Sequence, residues 1–349
     1  MPDFLWRVDE SPARRLALAP LALGEVLYAS GARLHRWAYR AGLRGRVRLE
    51  ARVVSIGNLA VGGSAKTPLA AFLARELAAR GRRVALLSRG VGGRRSRELT
   101  VVSDGARALA SPADVGDEAC LLAAAAPGVP VLAGVRRAAL GLRAIAAFGS
   151  EVLVLDDGFQ HHRLERDVEL VCLDARLGLG NGHVLPRGPL REPVAALARA
   201  DALVFTRARA GDPPAPGSER LPARPPRFRI AIEKLGVRPV AGGERQPLAR
   251  LSGARVGLLA AIARPDRLAA DLVELGAEIC ARRLFADHHA YAPADLAGLD
   301  PGLLWITTAK DAVKIPPAWA HGAELCVLEE QVERASALDL VEFVSARLG

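Results

Sequence analysis

Cysteine is scarce. Only Cys120, Cys172, Cys280 and Cys326 occur in 349 residues, and no two of them form a C-x-x-C pair. That excludes a disulfide scaffold and a cysteine-ligated zinc module, and it fits a reducing, cytoplasmic setting. Lysine is scarcer relative to its partner cation: Lys66, Lys234, Lys310 and Lys314 are the only ones, so the net charge of +10 is built almost wholly from arginine. No recognition helix, aromatic RNA-binding motif or zinc module accompanies that charge, which argues against a nucleic-acid partner. Long apolar runs are also missing. The longest uncharged stretch near the N-terminus, Leu16 to Gly24, contains Pro20 and is followed by Glu25, whereas a spanning helix needs roughly 20 apolar residues.

What is present is an ordinary globular composition, 50% hydrophobic and 25% charged, long enough for about two domains of ~150 residues. Acidic residues are absent from Gly31 to Leu49, where Arg33, Arg36, Arg40, Arg44, Arg46 and Arg48 follow the apolar stretch Leu16–Ala32. The spacing of Arg33, Arg36, Arg40 and Arg44 puts them on one helical face, with Trp37 and Tyr39 suited to a headgroup level. Residues 1–50 therefore read as an interface segment lying on a membrane, with an amphipathic helix packed on its own domain as the alternative.

Further on, short apolar runs alternate with helical patterns. Val53–Ile56, Val84–Leu87, Val152–Leu155, Leu170–Leu173 and Ala202–Phe205 predict buried strands, and Pro68–Arg80 predicts a helix between the first two. This is the alternation of a mostly parallel, doubly wound α/β sheet covered on both faces. Six prolines between Gly211 and Arg227 predict an exposed connection. We place a domain over 51–227 before it and a smaller α/β domain over 228–349 after it. The latter is expected to open with a hairpin of Arg227–Glu233 and Val237–Ala241, followed by Arg255–Ala261, a helix Pro265–Leu275 and Leu303–Thr307.

Chemistry enters at Ser55-Ile-Gly-Asn-Leu-Ala60-Val61-Gly62-Gly63-Ser64-Ala65-Lys66-Thr67-Pro68. A buried strand running into a glycine-rich turn, Lys-Thr and a helix is what a phosphate-binding loop requires, because backbone N–H groups and a helix N-terminus cradle phosphate oxygens. Lys66 would reach the terminal phosphates, and the Thr67 hydroxyl would ligate magnesium. Alanines at 60 and 65 occupy both glycine positions of the strict G-x-x-x-x-G-K-[ST] pattern, so an ordinary glycine-rich turn stays open on this motif alone. The run Val152-Leu-Val-Leu-Asp156-Asp157 delivers two carboxylates to the C-terminal edge of the sheet, where such folds bind ligands and where an acid can hold magnesium. Asp117, before an alanine-rich helix, reads equally as an N-cap. His288 and His289 have no third metal ligand at a standard spacing.

Taken together these strings resemble the tetraacyldisaccharide 4′-kinase family of lipid A biosynthesis over nearly the whole chain. The resemblance rests on Gly57-Asn58 leading to Gly62-Gly63-Ser64-Ala65-Lys66-Thr67-Pro68, and on Ser88-Arg89-Gly90, Gly116-Asp117-Glu118 and Asp156-Asp157-Gly-Phe-Gln160-His161. It extends through Leu185-Pro-Arg-Gly-Pro-Leu-Arg191-Glu192-Pro193, Phe285-Ala-Asp287-His288-His289 and Thr308-Ala-Lys310-Asp311-Ala-Val-Lys314.

That resemblance implies a phosphate-loop fold and transfer of the ATP γ-phosphate to the 4′-hydroxyl of a tetraacylated glucosamine disaccharide 1-phosphate, giving lipid IVA, at the cytoplasmic face of the inner membrane. It implies ATP and Mg2+ as cofactors and no obligate protein partner. Asp117 matches the general base, assisted by His288; Glu118, Asp156, Asp157 and Gln160 match the acidic, polar cluster around magnesium; Arg89, Arg136 and Arg191 match positions that steady anionic groups. Ala65, Val91 and Ala309 depart from the family pattern, which has glycine, tyrosine and glutamate there. The first bears on ATP binding and the second on substrate contacts. A membrane-associated phosphate-loop ATPase without lipid product is the competing class.

Overall fold

The strand that precedes the glycine-rich turn is buried along almost its whole length. Val53 through Asn58 are all buried in Arg52–Asn58, which places this strand in a sheet interior with both faces covered. The computed structural model describes residues 11–349 except Ala210 and His321, and it leaves out the side chains of Arg14 and Arg15. The first ten residues of the expected interface segment thus lie outside the described residues.

Numbered along the chain, the strands are β1 (Arg52–Asn58), β2 (Val84–Ser88), β3 (Thr100–Ser103), β4 (Val131–Ala133), β5 (Val152–Asp156), β6 (Val168–Asp174), β7 (Ala202–Thr206), β8 (Arg227–Ile230), β9 (Ile232–Pro239), β10 (Arg255–Ala260), β11 (Glu278–Leu284), β12 (Leu304–Thr307) and β13 (Leu325–Val332). All five strands expected in the first half are present, each within a few residues of its apolar run, and the helix Lys66–Ala79 sits where periodicity put it.

Two compact units emerge, and neither is continuous. One comprises residues 1–88, 136–231 and 332–349; the other comprises 89–135 and 232–331. The switch at 231/232 lies close to the expected 227/228 boundary. Linear reading did not anticipate that 89–135 groups with the later residues or that 332–349 returns to the earlier ones.

In the first unit the strands run β2-β5-β1-β6-β7-β8, with parallel pairing throughout. The helix Lys66–Ala79 buries Leu69, Ala70, Ala71, Leu73, Ala74 and Leu77. Each fully buried leucine contributes roughly 1.5–3 kcal/mol. The helix Arg334–Leu348 belongs to this unit and is tied to Lys66–Ala79 by Arg334 on Glu76, at 2.9 and 3.1 Å. A core of Leu59, Phe159, Val171, Leu173, Leu190, Leu197 and Phe205 underlies the site.

The proline-rich stretch is not a free linker. Ala215 and Leu221 are buried in that same core, and the Leu179 N–H donates to Pro216 at 3.1 Å. Nine of the 17 residues from 211 to 227 are exposed, as expected of a connection, but the stretch is pinned to the core at these few points.

The second unit contains an antiparallel pair, β3 with β4, and a sheet ordered β11-β10-β12-β13-β9, parallel at β10 with β11, β10 with β12, and β12 with β13. The expected hairpin does not form. Only Ala231 separates β8 from β9, one residue fewer than the tightest hairpin loop. Instead β8 pairs with β7, and β9 edges the other sheet.

Candidate functional site

The first group of site residues is assembled by close backbone approach. Gly57, the penultimate residue of β1, packs against Phe159: a Cβ there would lie 2.5 Å from the Phe159 Cβ. Only glycine allows the Asp156-Asp157-Gly158 turn to pass so near the glycine-rich loop. The consequence is that the Thr67 hydroxyl donates to Asp156 Oδ2 at 3.0 Å and Lys66 Nζ lies 3.6 Å from Asp157 Oδ1. Ser64 through Thr67 are buried, while Val61, Gly62 and Gly63 are exposed and Ala60 is half-buried. The loop is held by the Val61 N–H on the Pro189 carbonyl at 2.8 Å, by Asn58 Nδ2 on the Gly62 carbonyl at 3.3 Å and by Thr206 Oγ1 on the Ser64 carbonyl at 2.9 Å.

Ala65 has φ 51° and ψ 26°, immediately before the helix. The alanine therefore occupies the left-handed region that glycine tolerates and a Cβ resists. Asp157 (φ 55°) and His288 (φ 65°) share that strain. Three of the four non-glycine residues with positive φ among the described residues are thus candidate site residues, consistent with strain held where geometry is functional.

Asp157 is gripped by cations. Arg191 places NH1 3.0 and 3.1 Å from its two carboxylate oxygens. Burial opposes ionisation of Asp157, but the charges of Lys66, Arg191 and Arg137 outweigh it and hold the carboxyl below its usual range. Gln160 donates to the Asn58 carbonyl at 3.2 Å and to Glu192 Oε1 at 3.3 Å, and its Oε1 lies 3.5 Å from Arg191 NH1. Glu192 is buried and clasped by Arg199 through two bonds of 2.8 and 2.9 Å. Arg136 is an exposed side chain; its neighbour Arg137 is the buried one whose charge acts on Asp157.

The second group lies in the second unit. Gly116 has φ 84°, and a Cβ on it would fall 2.1 Å from the Val91 carbonyl oxygen. That glycine starts the helix Asp117–Ala125, so Asp117 is its first residue rather than its N-cap. Asp117 Oδ1 nevertheless accepts the Glu118 N–H at 2.8 Å. His288 Nδ1 lies 3.0 and 3.1 Å from the Asp117 carboxylate oxygens. Burial penalises the Asp117 charge, yet the His288 hydrogen bond and the charges of Lys310, His288 and Lys314 leave its carboxyl below the ordinary range. The Asp117 hydrogen bond correspondingly raises His288. Glu118 is half-buried one residue further into the helix, and Arg89 is exposed. His289 is occupied elsewhere, with Nε2 2.9 Å from Asp295 and its ring stacked on Phe285.

Two residues of this second group escaped sequence reasoning. Lys310 Nζ lies 3.3 Å from His288 Nε2 and 3.9 Å from Asp117, and Lys314 Nζ is also 3.9 Å from Asp117. The signal was available in the rarity of lysine. In a chain that uses arginine almost everywhere, Lys66, Lys310 and Lys314, three of the four lysines, stand at candidate site carboxylates, where a compact ammonium differs from a planar guanidinium.

Among the described residues no group of three or more His, Cys, Asp or Glu side chains is arranged to hold a metal ion. The donor set that fits magnesium is smaller and oxygen-only, the Thr67 hydroxyl with Asp156, as a hard cation prefers.

A buried parallel strand that feeds a glycine-rich turn into Lys-Thr at a helix N-terminus, beside a strand-end aspartate, defines a phosphate-loop protein of the phosphoryl-transfer class. The family described as "Tetraacyldisaccharide-1-P 4'-kinase" matches residues 14–348, and the chain belongs to it. It is 44% identical over 337 residues to a tetraacyldisaccharide 4'-kinase of Anaeromyxobacter sp. (strain Fw109-5), covering 94% of this chain and 91% of that one. Against the enzyme of the same name from Geobacter metallireducens the identity is 44% over 309 residues, covering 87% and 90%. A crystal structure of LpxK from Aquifex aeolicus in complex with ATP superposes with a TM-score of 0.78 at 28% identity, covering 95% of this chain and 100% of that one.

Proposed function

We propose that this protein is an ATP-dependent lipid kinase that transfers the γ-phosphate of ATP to the 4′-hydroxyl of tetraacyldisaccharide 1-phosphate. The observation that carries the reading is the cluster of Lys66, Thr67, Asp156 and Asp157 at the start of a buried helix, in a chain whose family match is nearly end to end. In this reading residues 60–67 hold the ATP phosphates, with Lys66 supplying the charge. Magnesium would be held by Thr67 and Asp156, with Asp157 beside them, and it would neutralise charge on the transferred phosphoryl group.

A sugar hydroxyl attacks well only as its proton is accepted. Asp117, held ionised, is assigned that proton, and His288 orients the carboxylate. Arg89, Arg136, Gln160 and Arg191 are assigned to anionic groups of the substrates.

The acyl chains of such a substrate stay in a bilayer. The helix Leu21–Arg40 leaves Leu23, Val26, Leu27, Leu34 and Trp37 exposed, a stripe suited to dipping into the lipid interface. Among the described residues no helix is long and apolar enough to cross a membrane. We therefore assign contact with the cytoplasmic face of the inner membrane to this stripe and to Arg33 and Arg40. Arg36 points instead to Glu192, at 3.4 Å, and Arg44 lies beyond the helix.

The test is label transfer from radiolabelled ATP, with magnesium, into the lipid fraction of detergent micelles containing tetraacyldisaccharide 1-phosphate, with Lys66→Ala as control. Label in lipid for the unmutated protein alone supports the reading. Hydrolysis without labelled lipid would replace it with a membrane-associated ATPase.

A further inference from the structure

Opposite its exposed stripe, the helix Leu21–Arg40 carries two charged side chains, Glu25 and Arg36, that reach the segment 183–192. Glu25 Oε1 accepts the Val184 N–H at 3.0 Å and lies 3.0 Å from His183 Nδ1, and Oε2 lies 3.6 Å from Arg187. Gly24 lets the helix meet Pro186, to which a Cβ would come within 3.0 Å. About 16 Å further along the helix axis, Arg36 reaches Glu192. The helix therefore grips both ends of one irregular segment, 183–192.

That segment is bonded in turn to the glycine-rich loop. The Arg191 N–H donates to Leu59 at 2.7 Å, the Val61 N–H donates to Pro189 at 2.8 Å, and Leu190 bridges both Ala60 and Val184. Its side chain at Arg191 holds Asp157, which faces Lys66. An unbroken series of contacts runs from Glu25 through Val184, Leu190 and Arg191 to Asp157 and Lys66.

We propose that Glu25 is a positioning residue for the phosphate-loop site, acting through segment 183–191 on Arg191 and Asp157. The inference deepens the phosphoryl-transfer reading of Lys66 and rests on it. An irregular segment has no regular ladder to fix it, so a carboxylate that collects several donors defines where its far end lies. The helix that offers its outer face to lipid then also sets the geometry of the groups that meet the nucleotide phosphates.

The experiment is a double-mutant cycle in the full chain with E25A, R191A and E25A/R191A, plus E25Q, which keeps an acceptor for Val184 but loses the charge. Calorimetric ATP affinity, kcat and KM for both substrates, and sedimentation with anionic vesicles are measured, with thermal melts confirming folding. E25A should lower kcat about tenfold while lipid KM and vesicle binding stay unchanged, E25Q should fall between, and the double variant should be within twofold of R191A. Losses that multiply in the double variant, or an E25A effect confined to lipid KM, would overturn the proposal. If E25A does not fold, the E25Q/R191A cycle is read by the same criteria. ATP binding without lipid phosphorylation by the unmutated protein would remove the lipid-kinase reading alone, with the cycle then read in ATP affinity. No ATP binding would remove both.

Discussion

His288 Nδ1 stands 3.0 Å from Asp117 Oδ2 although 171 residues separate the two in the chain. A long-range contact to a buried carboxylate makes each partner answerable for the other's proton. Asp117→Asn keeps the shape and removes the proposed base, so kcat should fall about 100- to 10,000-fold with ATP affinity intact. His288→Gln should cost less, because Asp117 keeps Lys310 and Lys314 nearby. Steady-state kinetics with calorimetric ATP titration checks both.

The same pair sets a pH signature. His288 is raised above its ordinary 6.5, so its contribution to stability is fully present below that pH and is lost as pH rises through the folded value. Asp117 is lowered below 3.8, so its contribution is present above that value and is lost as pH falls through the depressed one. The difference in Tm between the unmutated protein and His288→Gln should be largest between pH 4 and 6.5 and shrink above it. A difference that grows toward pH 8 would contradict this assignment.

Ala65→Gly removes a Cβ from a left-handed residue. Relief of strain exceeds the entropy that glycine adds to the unfolded chain, for a net gain of about 1 kcal/mol. Thermal melts should show a higher Tm, with ATP affinity unchanged or tighter.

Asp156→Asn keeps an acceptor for Thr67 but removes the only charge from the proposed Thr67–Asp156 magnesium donor set. Turnover should fall about 100-fold or more, with a higher magnesium concentration needed for half-maximal rate. Magnesium titration of the lipid-labelling rate is the measurement.

Replacing Leu23, Val26, Leu27, Leu34 and Trp37 by serine should abolish sedimentation with anionic vesicles and leave Tm unchanged, because these side chains are exposed. A large drop in Tm would mean that the stripe packs within the protein.

The strands of the first unit were legible because a doubly covered parallel strand is an uninterrupted apolar run, as Val152–Asp156 shows. The phosphate loop and Asp156 were legible because strand, turn and helix follow one another directly. The grouping of 89–135 with 232–331 was not, since local periodicity carries no information on which distant segments pack. The hairpin failed for a related reason: Ile232–Pro239 has strand character, but character does not name a partner. Ala65 was legible as a departure, whereas its left-handed conformation required the backbone. Lys310 and Lys314 stood in a string already noticed, and only the fold brought them to Asp117.

The helix Arg334–Leu348 bears on how the protein is made. Glu76, which receives Arg334, lies 258 residues earlier, so at ~5–20 residues per second the ribosome supplies the partner roughly 13 to 50 s after the phosphate-loop helix has emerged. Throughout that interval the nascent nucleotide-binding half exposes apolar surface that its own later sequence is meant to cover.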